Sequence, residues 1–196
     1  RHKEYGELFS LLIADWRSKW DNDFSFYYVQ IAPYFNYYNS NAPLREVQRK
    51  ALEIPKTGMV VTLDIGEKYD IHPSNKHDVG FRLARYALKN DYKIDLIDSG
   101  PLYMSQSIHE DVIKVFFKHL GDGLVLDENR YSEFEVAGID KKYFVADVVN
   151  QNDFLEVFSD NVKNPLYVRY AWSDTSSASL FNSEGLPASS FHTENE

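Results

Sequence analysis

Asp70 and His72 stand one residue apart. In an extended segment that spacing turns both side chains to the same side, where a carboxylate can reach an imidazole. A carboxylate that orients one histidine is the acid and base part of a nucleophilic triad, the machinery of acyl transfer. Pro73 follows directly and suits the first position of a helix, which puts His72 at or near its cap, where the positive end of the helix dipole disfavours imidazolium. The same residues admit a plainer reading, because a histidine beside a proline at a helix start is often only a satisfied polar cap. A third reading gathers Asp64, Glu67, Asp70, His72 and His77 around a metal ion, although their spacings match no standard ligand pattern.

Two elements must position this loop. Gly58-Met-Val-Val-Thr-Leu63 is a short, β-branched apolar run suited to an interior strand of a parallel sheet, and Asn75 to Asn90 reads as the helix that follows Pro73. The loop between them lies at the carboxyl end of a strand, which is where open α/β sheets place their chemistry.

Asp64-Ile-Gly-Glu67, Asp70-Ile-His-Pro73, Asn75-Lys76, Val79-Gly80 and Leu83-Ala84 resemble the carboxy-terminal block of the sialate O-acetylesterase family, whose catalytic domain belongs to the SGNH hydrolases. The resemblance extends along almost the whole chain through Leu11-Leu-Ile-Ala-Asp-Trp-Arg17, Tyr28-Val-Gln-Ile-Ala-Pro33, Leu44-Arg-Glu-Val-Gln48, Ser99-Gly-Pro101, Val168-Arg-Tyr-Ala-Trp172 and Leu180-Phe-Asn-Ser-Glu-Gly-Leu-Pro-Ala-Ser189. It implies that His72 is the general base and Asp70 its orienting acid, and that no metal or organic cofactor is required; Asp64, which ends the strand and could instead cap the loop, is the fallback acid. It also implies a substrate, an O-acetylated sialic acid or another acetylated sugar, and a periplasmic or extracellular setting.

The family's nucleophile is a serine in a Gly-Gln-Ser-Asn motif, and no such motif occurs here, nor does Gly-x-Ser-x-Gly. The chain therefore reads as the C-terminal part of an esterase, holding base and acid but not the nucleophile or most of the oxyanion hole. Alone it is expected to be inactive, since a histidine without a positioned hydroxyl has nothing to activate. The expected partner is the N-terminal part of the same precursor. Two other readings remain open: a related carbohydrate acetylesterase such as an acetylxylan esterase, and a non-catalytic carbohydrate-binding protein.

Composition narrows the field. The 196 residues are 43% hydrophobic and 15% aromatic, enough for a real core in one large or two small domains. A net charge of -9 without a basic cluster argues against nucleic acid and anionic membrane surfaces as partners. There is no cysteine, which excludes disulfides and thiolate metal sites.

Glu4 to Trp20 has the spacing of an amphipathic helix, with Leu8, Leu11, Leu12, Asp15, Trp16 and Lys19 at helical intervals and Trp16 as the expected packing anchor. Phe24 to Ile31 reads as a strand, and the loop after it carries Tyr34, Tyr37 and Tyr38, which could stack on a sugar ring or simply pack over the domain edge. Pro43 to Glu53 reads as a helix with Arg45, Glu46, Arg49 and Lys50 largely solvated. Alternating helices and strands indicate α/β structure, the C-terminal half of an SGNH-type doubly wound parallel sheet over residues 1–92. Two parallel strands cannot make such a sheet, so others must come from elsewhere.

From about Tyr92 the pattern changes to short apolar runs, Val112 to Phe117, Leu124 to Leu126, Phe134 to Val136, Tyr143 to Val149, Phe154 to Phe158 and Leu166 to Ala171, separated by turn residues. This predicts an antiparallel β-sandwich domain over 93–196, with a structural role and a polar tail from Ser189 that frays. Arg169, Tyr170 and Trp172 are available there to touch a sugar.

Overall fold

The computed structural model describes residues 1–36, 40–130 and 132–194. The chain begins with helix α1 (His2–Lys19), then strand β1 (Phe26–Val29), helix α2 (Ala42–Lys50) with a 3-10 turn (Ala51–Glu53), strand β2 (Thr57–Val60) and helix α3 (Lys76–Asn90). Acidic Glu4 in the first turn of α1 and basic Arg17 and Lys19 in its last turn both suit the helix dipole. Pro43 sits in the first turn of α2, where its missing N–H costs nothing.

β1 and β2 pair in parallel from Phe26 opposite Thr57 to Val29 opposite Val60. Side chains alternate across a strand, so Phe26 and Tyr28 face one way and Tyr27 the other. Phe9 of α1 meets Phe26 and Tyr28, with ring centroids 6.0 and 4.9 Å away. Tyr86 of α3 stacks on Tyr27 at 5.6 Å. Gly58 permits that approach, since a Cβ there would lie 2.4 Å from the Tyr86 ring. The two helices thus cover opposite faces of the strand pair. The far edge of β2 is closed by side chains one helical turn apart on α3: Tyr86 Oη donates to the Met59 carbonyl at 2.8 Å and Arg82 Nη1 to the Val61 carbonyl at 2.7 Å.

The remaining strands are β3 (Leu102–His109), β4 (Val112–Lys118), β5 (Leu124–Leu126), β6 (Phe134–Ala137), β7 (Phe144–Val145), β8 (Asp147–Asn150), β9 (Phe154–Phe158), β10 (Tyr167–Tyr170), β11 (Leu180–Asn182) and β12 (Phe191–His192). They form two four-stranded sheets, β3-β4-β9-β8 and β12-β10-β6-β7, and a small pair, β11-β5. All of these pairings are antiparallel. Ile113, Val115, Leu155 and Val157 of the first sheet and Phe134, Val136, Val168, Tyr170 and Phe191 of the second are buried in one apolar cluster, which also takes in Tyr28, Met59, Val61 and Leu63 from the first part of the chain. The result is a mixed α/β structure rich in antiparallel sheet. Among the described residues no helix is long and apolar enough to cross a membrane.

Four expectations need correction. Arg45 and Glu46 are buried rather than solvated. Arg45 leaves α2 for the later sheets, where its Nη2 donates to the carbonyls of Ala171 and Ser173 at 2.9 and 2.6 Å and its Nε to Ser190 Oγ at 3.2 Å. The run from Tyr143 to Val149 is not one strand: it breaks at buried Ala146, with β7 in one sheet and β8 in the other. β3 was not expected, because Ser105, Gln106 and Ser107 interrupt any apolar run. The tail does not fray at Ser189. Ser189, Ser190 and Phe191 are all buried, and Phe191 packs between Tyr103, Phe117, Phe134 and Tyr170.

Candidate functional site

The loop from Leu63 to Asn75 leaves the carboxyl end of β2 and rests on the segment that leaves β1. Gly66 packs directly on Pro33, where a Cβ would come within 2.5 Å of the proline ring. The Phe35 N–H donates to the Lys68 carbonyl at 2.7 Å. The site is therefore built from the two loops at the carboxyl ends of neighbouring parallel strands, the location that this topology favours for chemistry.

Three side chains set the loop's shape. At its start, Asp64 is held by Arg82 through two parallel contacts, Oδ1 to Nη1 at 2.7 Å and Oδ2 to Nη2 at 2.5 Å. Both residues are largely buried, and Arg82 ties the same guanidinium to β2 through the Val61 carbonyl. In the middle, Glu67 Oε1 accepts the Ser74 N–H at 2.6 Å, which closes the loop on itself and holds the Glu67 carboxyl below the usual carboxylate range. At its end, Asn75 caps α3: its Oδ1 accepts the Asp78 N–H at 3.1 Å while its Nδ2 donates to Asp78 Oδ2 at 2.8 Å.

Asp70 and His72 lie together on the exposed crown of this loop. Asp70 Oδ1 accepts the backbone N–H of His72 at 2.7 Å, the turn that an aspartate makes with the residue two ahead. Contact thus runs through the main chain. Neither the His72 imidazole nor Asp70 Oδ2 takes a hydrogen bond or ion pair among the described residues, so one carboxylate oxygen fixes the turn and the other is uncommitted. Asp64, by contrast, has both oxygens engaged by Arg82.

Pro73 is buried but does not open the helix, which starts at Lys76 behind the Asn75 cap. His72 lies a full turn ahead of α3, and the dipole acts only within a helix's first turn, so it contributes little at the imidazole. Asparagine with aspartate three residues on makes a stronger start signal than proline alone, which is why the helix begins later.

The five residues of the metal reading are dispersed: Asp64 on Arg82, Glu67 on Ser74, and His77 paired with Asp78 at 3.2 Å. Among the described residues no three His, Asp or Glu side chains converge so as to hold a metal ion. Tyr34 lines a cavity of about 550 Å³ between the β1 loop, α1 and the start of α2, together with Tyr5, Ile31, Asn36 and Asn41. Asp70 and His72 are not part of that wall. Tyr37 and Tyr38 lie outside the described residues. Trp172 packs against His192 with the rings tilted and their centroids 4.4 Å apart, and Tyr170 is fully buried with its hydroxyl accepting the N–H groups of Ser179 and Leu180, so Tyr170 is a packing residue and cannot reach a sugar. Arg169 is bound to Glu135 and lies over the Tyr143 ring at 3.9 Å.

Sequence reasoning overlooked Arg82 and the Glu67 clasp. Arg82 carried a signal, since it falls one turn before Tyr86 on the apolar face of α3, where an arginine has to find a buried partner.

Over 98% of its length the chain matches the crystal structure of a carbohydrate acetylesterase from Xanthomonas citri, with a TM-score of 0.91 and 35% sequence identity. The match spans 46% of that protein's chain. No family model and no curated protein matches.

Proposed function

We propose that this chain is the C-terminal part of a carbohydrate O-acetylesterase in which His72 is the general base and Asp70 its orienting acid. The observation that carries the reading is the close match to the Xanthomonas citri acetylesterase along nearly the whole chain, taken with an Asp-x-His pair at the carboxyl end of a buried parallel strand. Residues 1–92 belong in this reading to an SGNH-type esterase domain whose other strands and nucleophile lie outside this chain, and 93–196 to a β-sandwich domain that supports it. The substrate class we assign is an O-acetylated sialic acid, as the family signatures imply.

In the reaction a serine hydroxyl from outside the chain attacks the acetyl carbonyl while His72 takes its proton. His72 then returns that proton to the departing sugar hydroxyl, and water repeats the cycle on the acetyl-serine to release acetate. Asp70 fixes the imidazole tautomer with the oxygen that the turn leaves uncommitted. Acyl chemistry does not read the sugar beyond the ester, so Tyr34, Tyr37 and Tyr38 are the residues we assign to recognition.

The test is a chimera in which this chain replaces the matched part of the Xanthomonas citri acetylesterase. Release of acetate from an acetylated sugar, lost by at least a thousandfold on His72→Ala and Asp70→Ala, supports the reading. Full activity in His72→Ala removes it. Competition between acetylated sialic acid and acetylated xylan in the same assay decides the substrate class.

A further inference from the structure

The two edges of the β1-β2 pair differ. On the β2 side the outward carbonyls of Met59 and Val61 are satisfied by Tyr86 and Arg82. On the β1 side, Phe26 N and Gln30 N donate inward to the carbonyls of Lys56 and Val60 at 2.9 Å each. Alternate residues of a strand direct their amides to opposite edges, so Tyr27 and Val29 present theirs outward, and no hydrogen bond reaches either N–H among the described residues. Val29 is exposed. An open edge of this kind is a template for another strand.

Helix α1 repeats the asymmetry. Gly6 marks the flank that packs on α2, where a Cβ would come within 2.7 Å of Val47. Phe9 and Trp16 sit over β1, Trp16 with its ring 5.9 Å from Phe26. Leu8 and Leu12 lie one turn apart on the other flank and are 58% and 38% exposed, with Trp16 continuing the stripe at 43%. Leucines at that exposure on an i, i+4 stripe are a helix-packing surface that the described residues leave uncovered. It lies on the side of α1 away from α2.

We propose that the open edge of β1 and the Leu8, Leu12, Trp16 stripe form one docking face for a parallel β-strand and its covering helix. The occupant we assign is the segment equivalent to the part of the Xanthomonas citri acetylesterase that this chain does not match, more than half of that protein's length. Three observations fix this choice. The existing pair is parallel, and parallel sheets bury both faces under helices. The other edge has the carbonyls of Met59 and Val61 taken by α3 side chains and both residues buried, whereas Val29 is exposed, so growth has one direction. The exposed stripe is where a helix that follows an added strand would lie. The inference rests on the esterase reading for the identity of the occupant, and its test does not read activity.

Hydrogen exchange followed by mass spectrometry is compared between this chain alone and the chimera described above. A peptide covering Phe24 to Ile31 should gain about two slowly exchanging amides in the chimera, and Leu8→Glu with Leu12→Glu should abolish that gain while leaving the melting temperature of the lone chain within about 2 °C. The proposal is overturned if the two amides are already slow in the monomeric lone chain or stay fast in a folded chimera. It is overturned equally if they become protected as the lone chain is concentrated, which would make a second copy the occupant, or if the double variant weakens both proteins alike. A chimera that protects these amides but cleaves no ester sinks the esterase reading alone. One that cleaves ester with the amides unprotected sinks only the docking face.

Discussion

The first ninety residues and the sheets that follow bury their apolar side chains to very different degrees. In the antiparallel part, Phe191, Tyr170, Val168 and Leu155 are wholly inaccessible, and the exposed large apolar side chains, Met104, Ile108, Val125, Ile139, Val145 and Val149, are spread over β3, β5, β7, β8 and a turn. In α1, only Ile13 is buried, while Leu8, Leu11, Leu12, Trp16 and Trp20 are all exposed. The later sheets bury their inner faces in a core that they share with Tyr28, Met59, Val61 and Leu63, while the first helix leaves a face open. The contrast lies in α1, whose exposed leucines and tryptophans have no counterpart of that density elsewhere among the described helices.

The comparison can be broken most forcefully at Phe191. Replacing it by Ala should cost about 3–5 kcal/mol, because the ring is fully buried among four other aromatic rings; urea unfolding measures it, and a loss below about 1 kcal/mol would show that the shared core is not closed. Arg45→Ala comes next, at about 3 kcal/mol, since it strands the buried Ala171 carbonyl, removes the bond to the Ser173 carbonyl and leaves a cavity. The same unfolding experiment should show both parts of the chain weakened together, because Arg45 connects them.

Asp64→Asn is expected to cost about 2 kcal/mol, less than the 3–5 kcal/mol of a fully buried pair because some solvent reaches this one. Its signature is local: faster hydrogen exchange between Leu63 and Asn75 with the amides of the antiparallel sheets unchanged. His119 gives a smaller and pH-dependent effect. Burial pushes its imidazole below the ordinary value of 6.5, helped by Lys89 and Lys118, and Asp98, 3.8 Å away, opposes the shift. The unfolded chain therefore takes a proton near pH 6.5 before the folded chain does. Stability falls as the pH drops from there to the lower folded value and then levels off. His119→Asn should flatten that segment of a stability profile measured from pH 8 to 5. Smallest of all, Leu8→Ser or Leu11→Ser in the lone chain should change the unfolding free energy measured in urea by less than about 0.5 kcal/mol, whereas a comparable change at Leu155 should cost several times more.

What the sequence disclosed follows the same division. The antiparallel strands with uninterrupted apolar runs, β4, β5 and β9, lie where their residues put them, within a residue or so. β3 was hidden because its ladder with β4 runs through Ser105, Gln106 and Ser107, residues with no strong strand preference. The tail was hidden for a different reason: Ser189 and Ser190 are buried because Gln30 and Arg45, far away in sequence, donate to their hydroxyls, and local polarity carries no trace of a partner so distant. At the candidate site, the loop's place after β2 and the proximity of Asp70 to His72 were legible from spacing. That Asp70 would use one oxygen on the main chain was not, because extended and turned segments share the same two-residue spacing.

The bond from Arg45 to Ser190 also sets a schedule for synthesis. The guanidinium and its acceptor are separated by 145 positions, and at roughly 5–20 residues per second a ribosome needs about 7–30 s to cover that distance. For that interval the nascent chain carries a cation destined for burial whose hydroxyl acceptor has not been made. That bond closes only once the last strand, β12, is being made, so the contact that ties α2 to the later sheets is among the last that the chain can form.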